Sequence, residues 1–238
     1  YKSQLYFNKN FTRVSSFFFF FFLNNVNPSL LGFGCMRFPK KEDGTIDEVE
    51  AERMLDHAIE SGVTYIDTAY PYHDGESEPF VGRVLKKYKG EDFYLATKLP
   101  MFKIDSLEQA KEIFEEQMKR LDVYYVDFYL LHALNKDTWK KVIDLNIIPY
   151  CEELKKQGRI KNFGFSFHDD YEVFEEIINY RDWDFCQIQL NYIDTDIQAG
   201  MKGYKLTEEK NVPLVIMEPI KGGALASLSD DIEQVFTD

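Results

Sequence analysis

The sequence predicts an α/β protein, a (β/α)8 TIM barrel with only about seven strands present in this chain. Short apolar segments alternate with longer helical ones at about 30 residues per unit, as in repeated β-α-β units with a parallel sheet. Continuous apolar runs such as Phe128 to Leu131 are typical of strands buried on both faces. No G-x-G-x-x-G opens a helix after the first strand, so a doubly wound dinucleotide-binding sheet lacks its main fingerprint.

Seven segments have the composition and length of buried strands. An eight-stranded barrel therefore lacks one strand, and the first and seventh are expected to keep unpaired edges, which favour aggregation. The predicted strands are Leu31–Cys35, Thr64–Ala69, Phe93–Leu99, Val126–His132, Ile160–Phe167, Phe185–Tyr192 and Pro213–Pro219.

Helices are predicted between these strands from apolar residues that recur every three or four positions. Gly62 is placed to end the first helix, and Asp105 or Ser106 to cap the third. A fourth helical region is expected to be interrupted before Pro149 and to end at Gly158. The apolar residues that recur in this way in the first three predicted helices are Ala51, Met54, Leu55, Ala58 and Ile59; Phe80, Val81, Val84, Leu85 and Tyr88; and Leu107, Ala110, Ile113, Phe114 and Leu121.

Residues 1–28 have no regular period and contain an unbroken run of six Phe, from Phe17 to Phe22. A Phe homopolymer cannot sort its side chains onto one face of a helix or strand. We therefore expect residues 1–28 to be an irregular leader outside the fold and residues 29–238 to be an incomplete barrel. A secretory signal is the less favoured alternative, because Arg13 precedes the run but no small-residue cleavage site follows it. The start at Tyr1 instead of Met suggests a fragment or a processed product.

The composition, 45% hydrophobic and 29% charged, is that of a globular protein. No apolar run reaches the roughly 18 residues of a membrane span, and a net charge of −13 argues against binding to nucleic acids or anionic membranes. Cys35, Cys151 and Cys186 lack a C-x-x-C spacing, so they build no disulfide framework, zinc site or iron–sulfur cluster. They are typical of idle thiols in a reducing cytosol, which predicts a cytoplasmic protein.

Polar side chains stand where the predicted strands end, the position of active sites in such barrels. Asp67 ends the second strand and Tyr72 lies in the loop after it. Lys98 ends the third strand and His132 the fourth. Taken singly, each is typical of a solvated strand end or a hydrogen-bonded core residue, but four on successive strands indicate a site.

These four side chains fit one mechanism, the reduction of a small-molecule carbonyl without a metal. An ammonium beside a phenol stabilises the phenolate, so Lys98, oriented by Asp67, is expected to lower the pKa of Tyr72. Tyr72 then protonates the developing alkoxide. Neutral His132 donates a hydrogen bond to the carbonyl oxygen.

This tetrad resembles the Asp, Tyr, Lys and His of the aldo-keto reductases, in a stretch that covers about residues 30–225. The residues that carry the resemblance are Asp67-Thr68-Ala69-x-x-Tyr72, Lys98 in Ala-Thr-Lys-Leu-Pro and His132 in Tyr-Leu-Leu-His. Five longer segments resemble the microbial branch that has a C-terminal ferredoxin-like domain: residues 31–39, 70–78, 130–136, 164–169 and 217–223.

The resemblance implies an NADPH-dependent carbonyl reductase in which Ser166 and Gln187 hold the nicotinamide carboxamide. Two residues depart from the family pattern. Phe167 replaces a common Asn, and Met217 stands where many members stack a Tyr on the nicotinamide ring. We expect an altered but intact cofactor site, because a thioether also packs against a ring.

The resemblance also implies features that the chain lacks. Family members bind the adenosine 2′-phosphate through basic residues after strand eight, so this chain is expected to bind NADPH weakly and to have little or no activity. Four-iron four-sulfur clusters are expected only in a missing C-terminal region of the parent protein. The residues identify neither the physiological substrate nor the oligomeric state.

Two other functions stay open. The first is a regulatory barrel that binds a nicotinamide cofactor with little turnover. The second is a metal-dependent hydrolase with ligands from His73, Asp74, His132 and His168, which lack the compact His-x-His spacing of such sites.

Overall fold

Eight strands close into a barrel in the computed structural model, which describes the backbone of residues 17–21 and all of residues 26–226. The second to eighth strands are parallel to one another in chain order, and the first closes the barrel antiparallel to both its neighbours. The strands are β1 (Phe17–Phe21), β2 (Leu31–Gly34), β3 (Tyr65–Asp67), β4 (Tyr94–Leu99), β5 (Val126–Leu134), β6 (Ile160–Phe167), β7 (Phe185–Gln189) and β8 (Leu214–Met217).

Helices follow each of the strands β2 to β7, and their buried faces share one hydrophobic core with the strands. None of the helices in the described residues is long and apolar enough to cross a membrane. The helices are α1 (Glu48–Glu60), α2 (Ser77–Leu85), α3 (Leu107–Leu121), α4 (Lys136–Asp144), α5 (Ile147–Lys156), α6 (Tyr171–Tyr180) and α7 (Gly200–Lys210).

The seven parallel strands β2–β8 with their helices confirm the predicted fold class. All seven predicted strand segments contain an observed strand. Several strands are shorter than predicted, most of all β3, β7 and β8, and β7 ends at Gln189 and not at Tyr192. The reason is Asn191, whose side-chain oxygen accepts hydrogen bonds from the backbone N–H groups of Ile193 (3.0 Å) and Asp194 (2.8 Å) and so starts a turn.

Strand β1 corrects the expectation that residues 1–28 lie outside the fold. The backbone of Phe17–Phe19 pairs with β2 and that of Phe19–Phe21 pairs with β8. The two strands that were expected to keep unpaired edges are therefore both paired. Backbone hydrogen bonding does not require side chains to be sorted onto faces, so the argument from the Phe homopolymer does not exclude a strand.

The rest of the predicted domain division has a mixed outcome. Val26 packs against the side chains inside the barrel, so it too belongs to the fold. Residues 1–16 and 22–25 of the expected leader lie outside the described residues. That residues 29–238 form an incomplete barrel domain stays a prediction.

The predicted helix boundaries are confirmed at four positions. Gly62 follows α1 with a φ of 90°, and Gly158 follows α5 with a φ of 71°, a region that favours glycine. Ser106 caps α3 by accepting a hydrogen bond from Gln109 N. The fourth helical region is interrupted before Pro149, at Asn146 (φ 54°), so Pro149 lies in the first turn of α5, where its missing N–H has no helical acceptor to lose.

The barrel interior is a separate apolar layer made of alternate strand residues. Side chains point to opposite faces of a strand with a period of two, so every second residue of each parallel strand points inward. The interior cluster consists of Tyr65, Ala96, Phe128, Leu130, Phe185, Val215 and Met217.

Gly164→Ala tests how tightly this interior is packed. A Cβ at Gly164 would lie 2.5 Å from Phe185 O and 2.7 Å from the Phe185 ring. We expect a loss of about 1–3 kcal/mol in the free energy of unfolding, measured with urea, because overpacking forces the paired strand to shift. Gly90→Ala is the control, since a Cβ there meets nothing within 4 Å. Equal stabilities of the two variants would contradict the packing described.

Candidate active site

Three of the predicted site residues continue the inward-pointing rows of their strands at the strand ends. In β3, Asp67 follows Tyr65 at the next inward position, and in β4, Lys98 follows Ala96. His132 follows Leu130 in β5 in the same way. Because parallel strands end at the same rim, the alternation brings polar side chains together above an apolar floor.

Six of the seven predicted site residues line one cavity of about 360 Å³ at this rim. The seventh, Asp67, is 0% exposed and lies against Lys98. The six are Tyr72, Lys98, His132, Ser166, Gln187 and Met217.

The Lys98 ammonium is the centre of the site and is only 1% exposed. It forms an ion pair with Asp67 Oδ1 and donates hydrogen bonds to Thr68 O (2.9 Å) and to the Tyr72 hydroxyl oxygen (3.2 Å). Its three N–H groups therefore each have a partner. Since the Tyr72 oxygen accepts from Lys98, its own O–H stays free to donate.

The charge on Lys98 is stabilised despite its burial. Burial lowers the pKa of Lys98, but the Asp67 carboxylate and the contact with Tyr72 outweigh burial and raise the pKa above its ordinary value. A buried ammonium without such a partner would lose its proton more readily. The ion pair thus fixes a positive charge 4.8 Å from the centre of the Tyr72 ring.

The pKa of Tyr72 corrects the expectation drawn from the sequence. Burial raises the pKa of Tyr72 above its ordinary value, and the charge of Lys98, which lowers it, does not offset burial. Lys98 therefore lowers the pKa of Tyr72 as expected, but the predicted net decrease is wrong, because burial raises this pKa by more. Tyr72 is a fully protonated phenol at neutral pH, placed beside a cation that stabilises its anion.

His132 is held as a neutral imidazole. Burial, then the positive charge of Lys98 and the proximity of His168, lower the pKa of His132 well below its usual range. The Tyr72 ring packs edge-on against His132 with 5.9 Å between ring centroids. The Nδ1 atom of His132 is buried without a hydrogen-bond partner among the described residues. The Tyr72 phenol and the His132 imidazole thus lie side by side at the cavity.

A bulge in β5 connects His132 with Ser166. The pairing of β5 with β6 shifts register between Leu131 and Leu134, and Ala133 takes a φ of 53°. The Ala133 N–H then donates to Ser166 Oγ at 2.8 Å, at the neighbouring strand end. The Ser166 oxygen is an acceptor in this bond, so the hydroxyl can still donate its own proton.

Gln187 has a side-chain orientation that suits an amide ligand. Its Nε2 donates to Asp67 Oδ2 at 3.3 Å, and because a carboxylate only accepts, the amide nitrogen must face Asp67. The Gln187 Oε1 is buried and has no partner in the described residues. A carboxamide needs one acceptor and one donor, and Gln187 Oε1 and the Ser166 hydroxyl supply both. These residues fit a nicotinamide.

The two departures from the family pattern have different structural consequences. The Phe167 side chain points away from the cavity into the outer core, with its ring 5.2 Å from that of Phe174. Met217 belongs to the interior cluster and also lines the cavity. Position 167 therefore supplies no amide, while position 217 supplies an apolar surface.

The residues of the metal alternative do not form a metal site. In the described part of the chain, no group of three or more His, Cys, Asp or Glu side chains lies close enough to hold an ion. His73 Nε2 accepts a hydrogen bond from Phe38 N at 3.1 Å, so this nitrogen is engaged.

Five further residues line the cavity, and the mechanism predicted for Asp67, Tyr72, Lys98 and His132 does not use them. Met36 follows β2 and Glu218 follows β8, so the rule that strand ends build the site would have found both. His73 and His168 entered only the metal alternative. The full set is Met36, Pro71, His73, His168 and Glu218.

Several known proteins are similar to this chain in sequence and in fold. The sequence profile of the Aldo/keto reductase family matches residues 30–238. The uncharacterized oxidoreductase YqkF of Bacillus subtilis is 28% identical over 211 residues, which cover 85% of this chain and 64% of that protein. The structure of the aldo-keto reductase AKR11C1 from Bacillus halodurans, in its holo form, aligns with a TM-score of 0.66 and 29% identity, covering 83% of this chain and 65% of that one.

A second similar structure is an aldo/keto reductase from Klebsiella pneumoniae in complex with NADP and acetate, with a TM-score of 0.59, 22% identity, and coverage of 77% of this chain and 61% of that chain. The chain spans 41% to 64% of the lengths of three curated relatives that it matches. The family match extends over nearly all of the described strands and every predicted site residue. The chain belongs to the aldo/keto reductase family of oxidoreductases.

Proposed function

We propose that this protein reduces an aldehyde or ketone by hydride transfer from NADPH, with Tyr72 as the proton donor. The observation that carries the proposal is the contact of Lys98 with both Asp67 and Tyr72 beside His132 on one cavity. A proton donor, a fixed cation and a neutral imidazole face the same space. That combination suits a carbonyl oxygen that gains negative charge during the reaction.

Tyr72 supplies the proton. Its raised pKa keeps the phenol protonated until an alkoxide, a far stronger base, forms next to it. Proton transfer leaves a tyrosinate whose charge lies 3.2 Å from the Lys98 ammonium. Lys98 therefore stabilises the product of the transfer more than its reactant, and this difference is what accelerates a step.

His132 orients the substrate. A neutral imidazole has one N–H to donate, and it donates to a carbonyl oxygen without competing as an acid. The lowered pKa of His132 keeps it in this form at neutral pH. Together with the Tyr72 hydroxyl, it defines one position for the carbonyl oxygen.

Ser166, Gln187 and Met217 are proposed to hold the nicotinamide of NADPH. Gln187 Oε1 and the Ser166 hydroxyl would bind its carboxamide, and Met217 would pack against its ring. When bound there, the cofactor supplies the hydride. The NADP that a similar structure contains supports this assignment by analogy.

The alternative is a barrel that binds the nicotinamide cofactor as a regulatory ligand with little turnover. The Tyr72–Lys98 contact favours the enzyme, because cofactor binding alone needs neither a phenol nor an ammonium at this place. Absence of carbonyl reduction at NADPH concentrations well above its Kd would favour the regulatory barrel.

Tyr72→Phe removes the proposed proton donor and keeps the ring. We expect kcat for carbonyl reduction to fall by about 100- to 10,000-fold while the Kd for NADPH is unchanged, as for loss of a general acid. Tyr124→Phe is the matched control, since Tyr124 is 69% exposed and lies outside the cavity. Unchanged turnover of Tyr72→Phe would contradict the role of Tyr72.

The pH profile of reduction tests the two pKa directions. The donor must be protonated, and its raised pKa means that the rate falls only as the pH rises through a value above about 10. The lowered pKa of His132 keeps the imidazole neutral well below pH 6.5. We expect a level kcat from about pH 7 to about pH 9 in stopped-flow or steady-state assays. A decline within this range would contradict the assignments.

The 238-residue chain itself is proposed to bind NADPH weakly and to be weakly active or inactive without a large excess of cofactor. The family's contacts to the 2′-phosphate follow the eighth parallel strand, whereas the described residues contain seven parallel strands. Fluorescence titration with NADPH, with NADH for comparison, is expected to give weak binding of both. Micromolar or tighter NADPH binding would contradict this expectation.

Two further features stay predictions. The segments that resemble the microbial branch imply a ferredoxin-like domain with iron–sulfur clusters in a longer parent protein, and the reading frame downstream of residue 238 tests this. The three cysteines are buried and unpaired, which suits the predicted reducing cytoplasm. Fractionation of cells tests the location.

A further inference from the structure

A buried polar cluster lies behind the cavity and takes no part in the proposed chemistry. It consists of Glu78 in α2, Thr97 in β4, and Gln117 and Arg120 in α3, and we call it the Glu78 cluster. Glu78, Thr97 and Gln117 are all 0% exposed. Buried polar networks of this kind are often no more stable than apolar packing, so stability alone does not explain the cluster.

One arm of the cluster holds the strand that carries Lys98. Glu78 Oε1 accepts hydrogen bonds from Thr97 Oγ1 (2.6 Å) and Gln117 Nε2 (2.8 Å). The same Gln117 nitrogen lies 3.0 Å from Lys98 O, and Gln117 Oε1 accepts from the Tyr129 hydroxyl at 2.7 Å. Because Lys98 O only accepts, the Gln117 nitrogen must face it, and this fixes which way the Gln117 amide faces. The backbone of Lys98 is therefore attached to Glu78 from the side opposite to the cavity.

The other arm holds the loop that carries Tyr72. Glu78 is the second residue of α2, which begins directly after this loop. Its Oε2 lies 3.5 Å from Arg120 Nη1. The Arg120 guanidinium stacks over the Tyr70 ring, 4.2 Å from its centroid, and the same Nη1 lies 3.5 Å from Tyr70 O. Arg120 also covers Gly75, where an added Cβ would lie 3.4 Å from Nη1.

The loop needs such external support because its backbone is strained. His73 and Asp74 have φ values of 52° and 57°, and Gly75 follows with 97°. Non-glycine residues in the left-handed region each cost of order 1–3 kcal/mol, and such conformations persist only when their surroundings impose them. Arg120 contacts the loop at Tyr70, before Tyr72, and at Gly75, after it, and Glu78 in turn faces Arg120.

We propose that Glu78 and Arg120 are positioning residues that set the distance between the Lys98 ammonium and the Tyr72 hydroxyl. Glu78 is the point at which the two arms meet, one through Thr97 and Gln117 to Lys98, the other through Arg120 to the Tyr72 loop. The proposal rests on the proposed function, in which Tyr72 and Lys98 act as a pair. A shift of about 1 Å between such groups can cost about 100-fold in rate.

Glu78→Gln and Arg120→Met test the proposal. Both are expected to lower kcat by about tenfold or more, with little change in KM or in the Kd for NADPH. They are also expected to move the alkaline decline of kcat to higher pH, because Tyr72 loses part of the contact with Lys98 that lowers its pKa. Glu115→Gln is the control, since Glu115 is an exposed residue of α3 that pairs with Arg159.

A second readout does not depend on turnover. The chain has 15 tyrosines, and labelling of their ζ-carbons with ¹³C allows the Tyr72 signal to be identified by its loss in Tyr72→Phe. The titration of this signal in both variants should shift to higher pH than in the wild type. Arg120→Met decides the test if Glu78→Gln does not fold, because the Arg120 side chain is 22% exposed, whereas that of Glu78 is fully buried.

The outcomes separate the two proposals. Folded variants with the kcat, pH profile and Tyr72 titration of the wild type would overturn the positioning role, even if Tyr72→Phe is inactive. Undiminished turnover of Tyr72→Phe would instead overturn the proposed function. A loss of kcat with an unshifted Tyr72 titration would mean that the Glu78 cluster acts on stability only, and would also overturn the positioning role.

Discussion

The Lys98 ammonium and the Asp67 carboxylate are removed from water together, and most of the site's geometry follows from that constraint. Each charge must be neutralised and each hydrogen-bonding atom satisfied by protein groups. Lys98 meets this need with Asp67, Thr68 O and Tyr72. Asp67 Oδ2 in turn receives the Gln187 amide. The proposed donor and the proposed carboxamide-binding residue are thus both fixed by their bonds to one ion pair.

The ion pair lies inside a closed barrel. Asp67 and Lys98 come from neighbouring strands and Gln187 from β7, across the interior. The closing contact is the antiparallel β1, which pairs both free edges. Below the ion pair, aromatic side chains such as Phe128 and Phe185 fill the interior and exclude water. The low polarity of this floor strengthens the attraction between the two charges.

That these side chains lie together could be predicted from the sequence because the signals are local. Alternation along each strand and the change from apolar to polar residues at its end place Asp67, Lys98 and His132 at one rim. Three features could not be predicted in this way. Strand β1 depends on the edges of two distant strands, the direction of the Tyr72 pKa depends on how burial compares with Lys98, and the Glu78 cluster depends on packing between α2, α3 and β4. Each depends on interactions between residues that are far apart in the chain.

Burial has opposite effects on the pKa values of Tyr72 and His132, the two groups proposed to face the substrate oxygen, and both effects serve the same end. It raises the pKa of Tyr72 and lowers the pKa of His132, so each is neutral and carries a proton that it can donate. Lys98 stays charged, because the Asp67 carboxylate compensates its burial. The cavity wall therefore presents two neutral donors with a fixed positive charge behind one of them. Such an arrangement is complementary to negative charge that develops on an oxygen, and it exists before any substrate binds.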